Sequence, residues 1–181
     1  MKKLLCVIPL AVLLCFTFAC QNKAEKAELE KFRAQAKVEQ QNKEIIRRYI
    51  EAEDKGNLLN VLDELVAPDA IFHYPNGDDI VGLETIKQAV PNSESIFPDR
   101  RHAIEFQLAD DDLVTTRYTI YATHKGEWMG IAPTGKEISF TVNDVCRFSN
   151  GKIVEAWIEL DWLGVTEQLG MELKPKEAEK K

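Results

Sequence analysis

The last strand-like segment of the chain carries residues whose types suit acid–base chemistry. Residues 153–163 read IVEAWIELDWL, with apolar residues at alternate positions and acidic residues together with Trp157 between them. One interpretation places the apolar set in the core and the acids in water. In the other, both faces of the sheet are covered, and Asp161, flanked by Leu160 and Trp162, lies in a cavity where it can act as a general base. The residues alone favour the first interpretation and leave the second open.

Other reactive side chains are scattered along the chain. His73, His102 and His124 lie on separate predicted elements without the spacing of a metal-binding motif, so no metal site is predicted. Cys146 lies within a predicted strand, where a small buried hydrophobe is our interpretation and a nucleophile is the alternative. The glycine-rich nucleotide motifs and the hydrolase nucleophile motif are missing from the sequence.

The charge balance excludes polyanionic partners. The chain has 23 Lys and Arg residues against 30 Asp and Glu residues, a formal net charge of −7, and it contains no basic stripe. Such a chain has no general attraction for phosphate backbones, so nucleic-acid binding is not expected. Its surface does not favour anionic lipid headgroups either.

The N-terminal segment nevertheless predicts a link to a membrane. Residues 4–19 read LLCVIPLAVLLCFTFA after two lysines, too short for the roughly 20 apolar residues that span a bilayer. We interpret residues 1–19 as a signal peptide and Cys20 as a lipidated N-terminal cysteine, although Thr17 stands where a lipoprotein signal usually has Leu. The prediction is a lipoprotein anchored in the cell envelope by acyl chains. The alternative is an ordinary secretory cut that leaves a soluble periplasmic or secreted protein.

After the signal, the chain divides into a spacer, a packed domain and a tail. Residues 20–41 comprise the lipidated cysteine and a stretch rich in Ala, Glu, Lys and Gln, whose composition predicts a charged helical spacer. A disordered tether is the alternative. Residues 42–171 hold the packed domain, and residues 172–181 form a polar tail.

Within the packed domain, helices come first and strands follow. Apolar periodicity predicts a helix that ends at Gly56, a second that Asn57 caps and that stops before Pro68, and a third closed by Pro91. A short strand at 70–74 lies between the second and the third helix. Alternating apolar residues then predict further strands at 101–108, 113–124, 137–148 and 153–160. Helices followed by an antiparallel meander predict the α+β class.

Several stretches, taken in order, resemble the SnoaL-like polyketide cyclase family, or ester cyclases. They are THKGEWMGIAPTGK at 123–136, RFSNGKIVEAW at 147–157 and DWLGVTEQLG at 161–170. Nearer the start, LVAPD at 65–69 and HYP at 73–75 are similar to the family's early segment. The resemblance implies a cone-shaped barrel in which a curved antiparallel sheet wraps around three N-terminal helices and encloses a pocket. It also implies a homodimer through the outer sheet face, chemistry without a cofactor, and a small hydrophobic ligand or substrate.

The resemblance also implies roles for individual residues. In the cyclases an Asp of the D-x-x-G segment handles protons, which corresponds to Asp161 in this chain. His124 lies in a matching motif, and we expect a structural hydrogen bond there. The weaker candidates for pocket lining or orientation are Tyr49, His73, Asp144 and Trp157.

We therefore expect a cofactor-independent enzyme of the cyclase, isomerase or hydrolase type, with Asp161 as general base or acid. One alternative is a non-catalytic module that binds a hydrophobic ligand. The other is a protein-interaction domain of the cell envelope.

Overall fold

The computed structural model describes residues 7–75, 77–172 and 174, with side chains from residue 23 onward. The chain divides into two compact units, Met1–Val38 and Glu39–Lys181. Helix α1 (Val7–Asp54) contributes residues to both units. Nearly all side chains described in the first unit are exposed, and no described helix has an apolar stretch long enough to cross a membrane. The predicted signal peptide, the lipid on Cys20 and most of the polar tail lie outside the described side chains.

The second unit begins its fold with helices that pack on a sheet. Gly56, at a φ of 63°, follows the end of α1, as predicted. A one-turn 3-10 helix (Leu58–Asn60) and α2 (Leu62–Leu65) then replace the continuous second helix of the prediction. The Asn57 side chain makes no capping hydrogen bond, and the chain turns extended at Val66. The predicted cap and the extension of this helix up to Pro68 were therefore wrong.

Helix α3 (Leu83–Ile96) continues through Pro91, where the sequence predicted its end. Proline removes one hydrogen bond from a helix interior. Pro91 is exposed, so water can reach the carbonyl left without its partner, while Val90 and Ile96 are buried on the other side. Packing of the buried face thus maintains the helix beyond the proline. A last helix, α4 (Trp162–Leu169), was not predicted and ends at Gly170, at a φ of 99°.

In the described part of the chain, six strands form one sheet in the order β2-β1-β6-β5-β4-β3. They are β1 (Val66–His73), β2 (Ile80–Val81), β3 (Arg101–Asp110), β4 (Leu113–Thr123), β5 (Glu137–Ser149) and β6 (Lys152–Leu160). The strands β3 to β6 form the predicted antiparallel meander, which confirms the α+β class. However, β1 pairs parallel with β6, and the edge strands β2 and β3 do not pair with each other. The sheet is therefore mixed and open rather than an antiparallel closed barrel.

The inner face of the sheet and the helices enclose the hydrophobic core. Buried positions alternate along β5 and include Val142, Cys146 and Phe148, which pack in one cluster with Ile46 and Ile50 of α1. Burying each such side chain stabilises the fold by about 1.5–3 kcal/mol. One buried position on β5 is occupied by a charged residue type, Asp144, which is 7% exposed. Since a lone buried carboxylate is costly, this position indicates a function.

Candidate active site

A cavity of about 90 Å³ lies between α1 and the inner face of the sheet. Its apolar walls are formed by Ile46, Ile50, Phe72, Cys146, Ile153, Ala156 and Ile158, and its polar groups come from Tyr49, Glu53, Tyr74, Tyr118 and Asp144. An adjoining cavity of about 60 Å³ shares Tyr49, Glu53, Phe72 and Tyr74 with it. Apolar walls with a few convergent polar groups are typical of a small-molecule site.

Asp144 has the environment of a group that exchanges protons. Its pKa is raised to about 7, mainly by burial and to a smaller extent by the charge of Glu53, while interactions with Thr116 and Tyr118 oppose the shift. Its Oδ1 has no hydrogen-bond partner among the described residues. A carboxyl with a pKa near 7 is present in both protonation states at neutral pH, which suits a general base or acid.

Hydrogen bonds lead from the protein surface to Thr116, the neighbour of Asp144 on the adjacent strand. The Arg47 Nε donates to Gln107 Oε1 at 2.7 Å, and Gln107 Nε2 donates to Thr116 Oγ1 at 3.3 Å. Thr116 is fully buried and lies opposite Asp144 in the register of β4 with β5. Because the Thr116 oxygen accepts from Gln107, its own proton is available to the Asp144 carboxylate.

The three cavity tyrosines are suited to donate hydrogen bonds. Burial raises the pKa of Tyr74 to about 12 and raises those of Tyr49 and Tyr118 well above the ordinary value of 10. The phenols therefore keep their protons at neutral pH. A protonated phenol in an apolar cavity stabilises an oxygen anion that forms beside it.

Glu53 is a cavity residue that the sequence reasoning missed. It lies near the end of α1 with its side chain 17% exposed, and burial is the main cause that raises its pKa. The acidic run around it resembles a solvated helix end. The signal that could have found it is helical spacing, because Ile46, Tyr49 and Glu53 recur on one face of the helix.

Asp161 lies outside both cavities, contrary to the expected burial. Its side chain is exposed and caps α4, where its Oδ1 accepts a hydrogen bond from the Gly164 N–H at 2.9 Å. A Cβ atom on Gly164 would overlap the Asp161 carboxylate. The D-x-x-G spacing thus has a structural reason here, the close approach of a capping carboxylate to a glycine. The catalytic role of Asp161 stays a prediction.

The remaining candidates separate into two groups. Tyr49 and Asp144 line the cavity, whereas His73 and Trp157 do not line it. These two lie side by side in the register of β1 with β6, next to the inward pair Phe72 and Ala156, and so belong to the outer face. Their rings stack at 5.5 Å between centroids.

His73 and its neighbours form a charged cluster on that outer face. The His73 Nδ1 lies 2.9 Å from Asp79 Oδ1, and Nε2 lies 3.1 Å from Glu155 Oε1. The hydrogen bond to Asp79, followed by that to Glu155, raises the pKa of His73. The Arg147 guanidinium lies 5.5 Å from the centre of the Trp157 ring. This cluster stabilises the sheet surface rather than the cavity.

His124 and Cys146 have structural surroundings. The fully buried His124 accepts the Thr134 backbone N–H at its Nδ1, at 3.3 Å, as expected for a structural hydrogen bond. Cys146 is buried, and burial raises the pKa of its thiol well above the ordinary value. Such a thiol is a weak nucleophile. Among the described residues, no cluster of His, Cys, Asp or Glu could hold a metal ion.

Comparison with known proteins identifies the family. Residues 43–169 match the family model described as SnoaL-like polyketide cyclase. The chain belongs to this family. It is 27% identical over 132 residues to the aklanonic acid methyl ester cyclase DnrD of Streptomyces peucetius, a match that covers 70% of this chain and 89% of that protein.

Solved structures agree with this assignment. Wild-type IdmH from Streptomyces antibioticus superposes with a TM-score of 0.63 at 32% identity, and the match covers 72% of this chain and 99% of IdmH. A SnoaL-like protein from Jannaschia sp. CCS1 gives a TM-score of 0.70 at 17% identity and covers 75% of this chain and 96% of that one. The second likeness supports the fold alone.

Proposed function

We propose that this protein is a cofactor-independent enzyme that removes a proton from a carbon next to a carbonyl group, in a cyclisation or isomerisation of a small, largely apolar molecule. The observation that carries the proposal is the Asp144 carboxyl, buried in the wall of an apolar cavity with its pKa raised to about 7. Family membership and the likeness to an ester cyclase support the reaction class.

The cavity residues suit the two halves of such a reaction. The ionised Asp144 takes the proton from carbon, and the electrons of the C–H bond move onto the carbonyl oxygen. The phenols of Tyr49, Tyr74 and Tyr118 then donate hydrogen bonds to the oxygen anion. General-base assistance of this kind contributes about 10²–10⁴-fold to a rate. No covalent intermediate is needed.

The size of the site supports a small substrate. The cavities of about 90 and about 60 Å³ share a wall of four residues. In another protein, an apolar cavity of roughly 150 Å³ binds benzene. Neither cavity alone reaches that volume, so a molecule with a single ring has to extend across both, and a larger one requires that the helices or the sheet move.

Deuterium exchange into cyclohexanone tests this proposal without knowledge of the natural substrate. The ketone has one ring and exchanges its α-hydrogens slowly in heavy water, so catalysis is visible by mass spectrometry. We expect the natural protein to accelerate the exchange and Asp144→Asn to lose about 100-fold or more.

The matched variant is Asp161→Asn, because both changes remove one carboxylate and keep the shape of the side chain. We expect Asp161→Asn to exchange within a few-fold of the natural protein. Loss of exchange in Asp161→Asn with retention in Asp144→Asn would assign the general base to Asp161, as the family resemblance implies. No acceleration by the natural protein would reject the proposed reaction.

A non-catalytic binding role is the second candidate, and the apolar walls of the cavity favour it. A binder holds a hydrophobic molecule without converting it. It predicts that cyclohexanone perturbs the signals of Ala156 and Ile158 in an NMR titration while exchange stays at the background rate. It also predicts that Asp144→Asn binds at least as tightly, since a buried charge is removed.

We also propose that Cys20 carries a lipid that anchors the protein in an envelope membrane. The apolar segment before Cys20 and the exposed, charged residues 23–38 after it support this. Growth with a labelled fatty acid should label the natural protein and not the Cys20→Ser variant. An unlabelled, soluble natural protein would instead support a periplasmic or secreted form.

A homodimer through the outer sheet face completes the proposal. The exposed Phe106, Leu108 and Tyr121 lie on the strands β3 and β4 and support an interface there. Light scattering should give twice the mass of one chain, and Leu108→Lys should shift it to one. An unchanged mass for Leu108→Lys would place the interface elsewhere.

A further inference from the structure

We propose that Glu53 is a second catalytic residue, the acid that gives a proton to the substrate oxygen, and that the pair His102 and Asp54 positions its carboxyl group. This inference rests on the proposed function, in which Asp144 is the base. It concerns a set of contacts at the end of α1 that packs against the cavity from the helix side.

The first observation is the position of Glu53 between the two cavities. Its side chain lines both of them and is 17% exposed. Asp144 lines the larger cavity from the sheet side, and the charge of Glu53 raises the pKa of Asp144. The two carboxyl groups therefore titrate as a pair, and the reactive form in this proposal is the one in which the pair holds a single proton, on Glu53. Two carboxyl groups with separate surroundings are a common arrangement for a base and an acid.

The second observation is that both oxygens of Glu53 are held by buried side chains. The Arg100 Nη1 donates to Oε1 at 3.4 Å, and His102 Nε2 lies 3.4 Å from Oε2. Arg100 is 9% exposed and also donates to Ser93 Oγ at 2.9 Å. Contacts at both oxygens limit the movement of this carboxyl beside the cavities, which positions it for catalysis.

The third observation is the pairing of His102 with Asp54. The imidazole is 1% exposed, and its Nδ1 lies 2.6 Å from Asp54 Oδ1, which also accepts the His102 backbone N–H at 3.0 Å. Since a carboxylate accepts, Nδ1 carries the proton, and Nε2 is left to face Glu53. The His102 ring also packs edge-to-face on Tyr118 at 5.3 Å. Nε2 then lies beside Glu53 Oε2 and helps to hold that oxygen in place.

The charges around Glu53 suit an acid that is neutral before the reaction and an anion after it. Burial raises its pKa, Asp54 and Glu94 raise it further, and His102 and Arg100 oppose the shift. The cavity side presents the neutral phenols of Tyr49, Tyr74 and Tyr118 together with Asp144. Once the proton has left, Arg100 and His102 stabilise the anion.

The protons balance over one turnover. Asp144 takes a proton as the C–H bond breaks, and the electron pair of that bond forms an enolate. In an isomerisation the enolate oxygen receives the proton of Glu53. In a ring closure the enolate carbon bonds to a second carbonyl carbon, whose oxygen receives that proton instead. Water then takes the proton from Asp144 and returns one to Glu53, so the net change is zero.

The test is the pH profile of cyclohexanone exchange for the natural protein, Glu53→Gln and His102→Asn. An ionised Asp144 and a protonated Glu53 give a profile with a rise and a decline. We expect Glu53→Gln to lose about 10- to 100-fold at the maximum and to lose the decline at high pH. His102→Asn keeps a donor for Asp54 but loses the contact with Glu53. We therefore expect a change in the pH at which the exchange rate declines.

The matched control is Glu64→Gln, which likewise removes a carboxylate that is paired with an arginine. Glu64 binds Arg48 at 2.7 Å on the surface, and neither residue lines the two cavities. We expect its profile to equal that of the natural protein. An unchanged pH profile in Glu53→Gln, or a loss of exchange rate by the same factor at every pH, would overturn the inference about Glu53. If Asp144→Asn still loses exchange in that case, the proposed function stands without it.

A titration that needs no turnover completes the test. Carbon-13 NMR of the carboxyl groups should show Asp144 and Glu53 titrating as a coupled pair in the natural protein. In Glu53→Gln, the pKa of Asp144 should fall because the neighbouring charge is gone. Independent titration of the two groups in the natural protein overturns the inference even if Glu53→Gln does not fold.

Discussion

Asp144 and Asp161 show how two regions of the same sheet give one residue type opposite properties. Asp144 lies in the middle of β5, 7% exposed, with an oxygen that has no hydrogen-bond partner in the described part of the chain. Asp161 lies just after β6, exposed, with its oxygen bound to the N–H of Gly164. The first environment favours the neutral acid, and the second is that of an ordinary helix cap.

Local geometry accounts for the difference. The alternation of β5 places Asp144 on the same face as Val142 and Cys146, inside the core. Asp161 donates its backbone N–H to Thr141 at 3.2 Å at the end of the strand pairing, and the chain then turns into α4. A resemblance in sequence locates a residue along the chain, but burial determines what its carboxyl group can do.

The largest effect on stability is expected for Asp144→Asn as a function of pH. Burial raises the pKa of Asp144 from 3.8 to about 7, so the folded state holds a proton that the unfolded chain has released. The free energy of unfolding of the natural protein should therefore fall by up to about 4 kcal/mol between about pH 4 and pH 7. Above the folded pKa this loss is complete.

The measurement is urea unfolding of both proteins across that pH range. In Asp144→Asn this fall should be absent, so the variant should exceed the natural protein in stability above pH 7. If the free energies of unfolding of the two proteins changed with pH in parallel, Asp144 would be ionised in the folded state across this range. Asp144 and Asp161 would then not differ in the way that burial predicts.

A smaller effect is expected at Asp161, where two substitutions separate capping from charge. Asp161→Ala removes the acceptor for the Gly164 N–H and should lower the free energy of unfolding by about 1 kcal/mol. Asn is as good a cap as Asp, so Asp161→Asn should be nearly neutral. Equal losses in thermal unfolding for both variants would show that the carboxylate charge matters beyond the cap.

Gly164→Ala tests the same cap at the residue that donates the hydrogen bond to Asp161. The new methyl group would overlap the Asp161 carboxylate and push it out of the capping position. We expect a stability loss at least as large as that of Asp161→Ala, and the double variant should lose less than the sum of the two. Strict additivity would indicate that the two residues do not act together.

The smallest effect is expected for the outer-face residue His73. Hydrogen bonds to Asp79 and Glu155 raise its pKa, so its contribution to stability is present below about pH 6.5 and is lost as pH rises through the folded pKa. His73 is 28% exposed, so solvent and salt should limit the effect to less than about 1 kcal/mol. His73→Gln should remove this pH dependence, and added salt should weaken it in the natural protein. A larger effect of His73 on the free energy of unfolding would contradict the expectation that buried groups such as Asp144 contribute the larger pH dependence.

The sequence predicted the four-stranded meander because apolar residues alternate cleanly from Arg101 to Leu160. It did not predict the parallel pairing of β1 with β6, since periodicity carries no information about which strands become neighbours. At the site, Asp144 and Tyr49 were among the candidates, and both line the cavity. Glu53 was missed because an acidic residue near a helix end resembles a solvated one. Its importance arises from contacts with Arg100 and His102, which are distant in sequence.

The parallel pairing of β1 with β6 also governs the order in which the molecule can fold. Phe72 and Ala156 lie opposite each other in this pair, and both line the cavity. Joining them closes a long loop of chain, which costs entropy before the contact returns any stabilisation. We therefore expect the meander to form early and the cavity wall to close last. In a nascent chain that still lacks β6, the edge of β1 that later pairs with β6 is unpaired and can bind other unfolded chains.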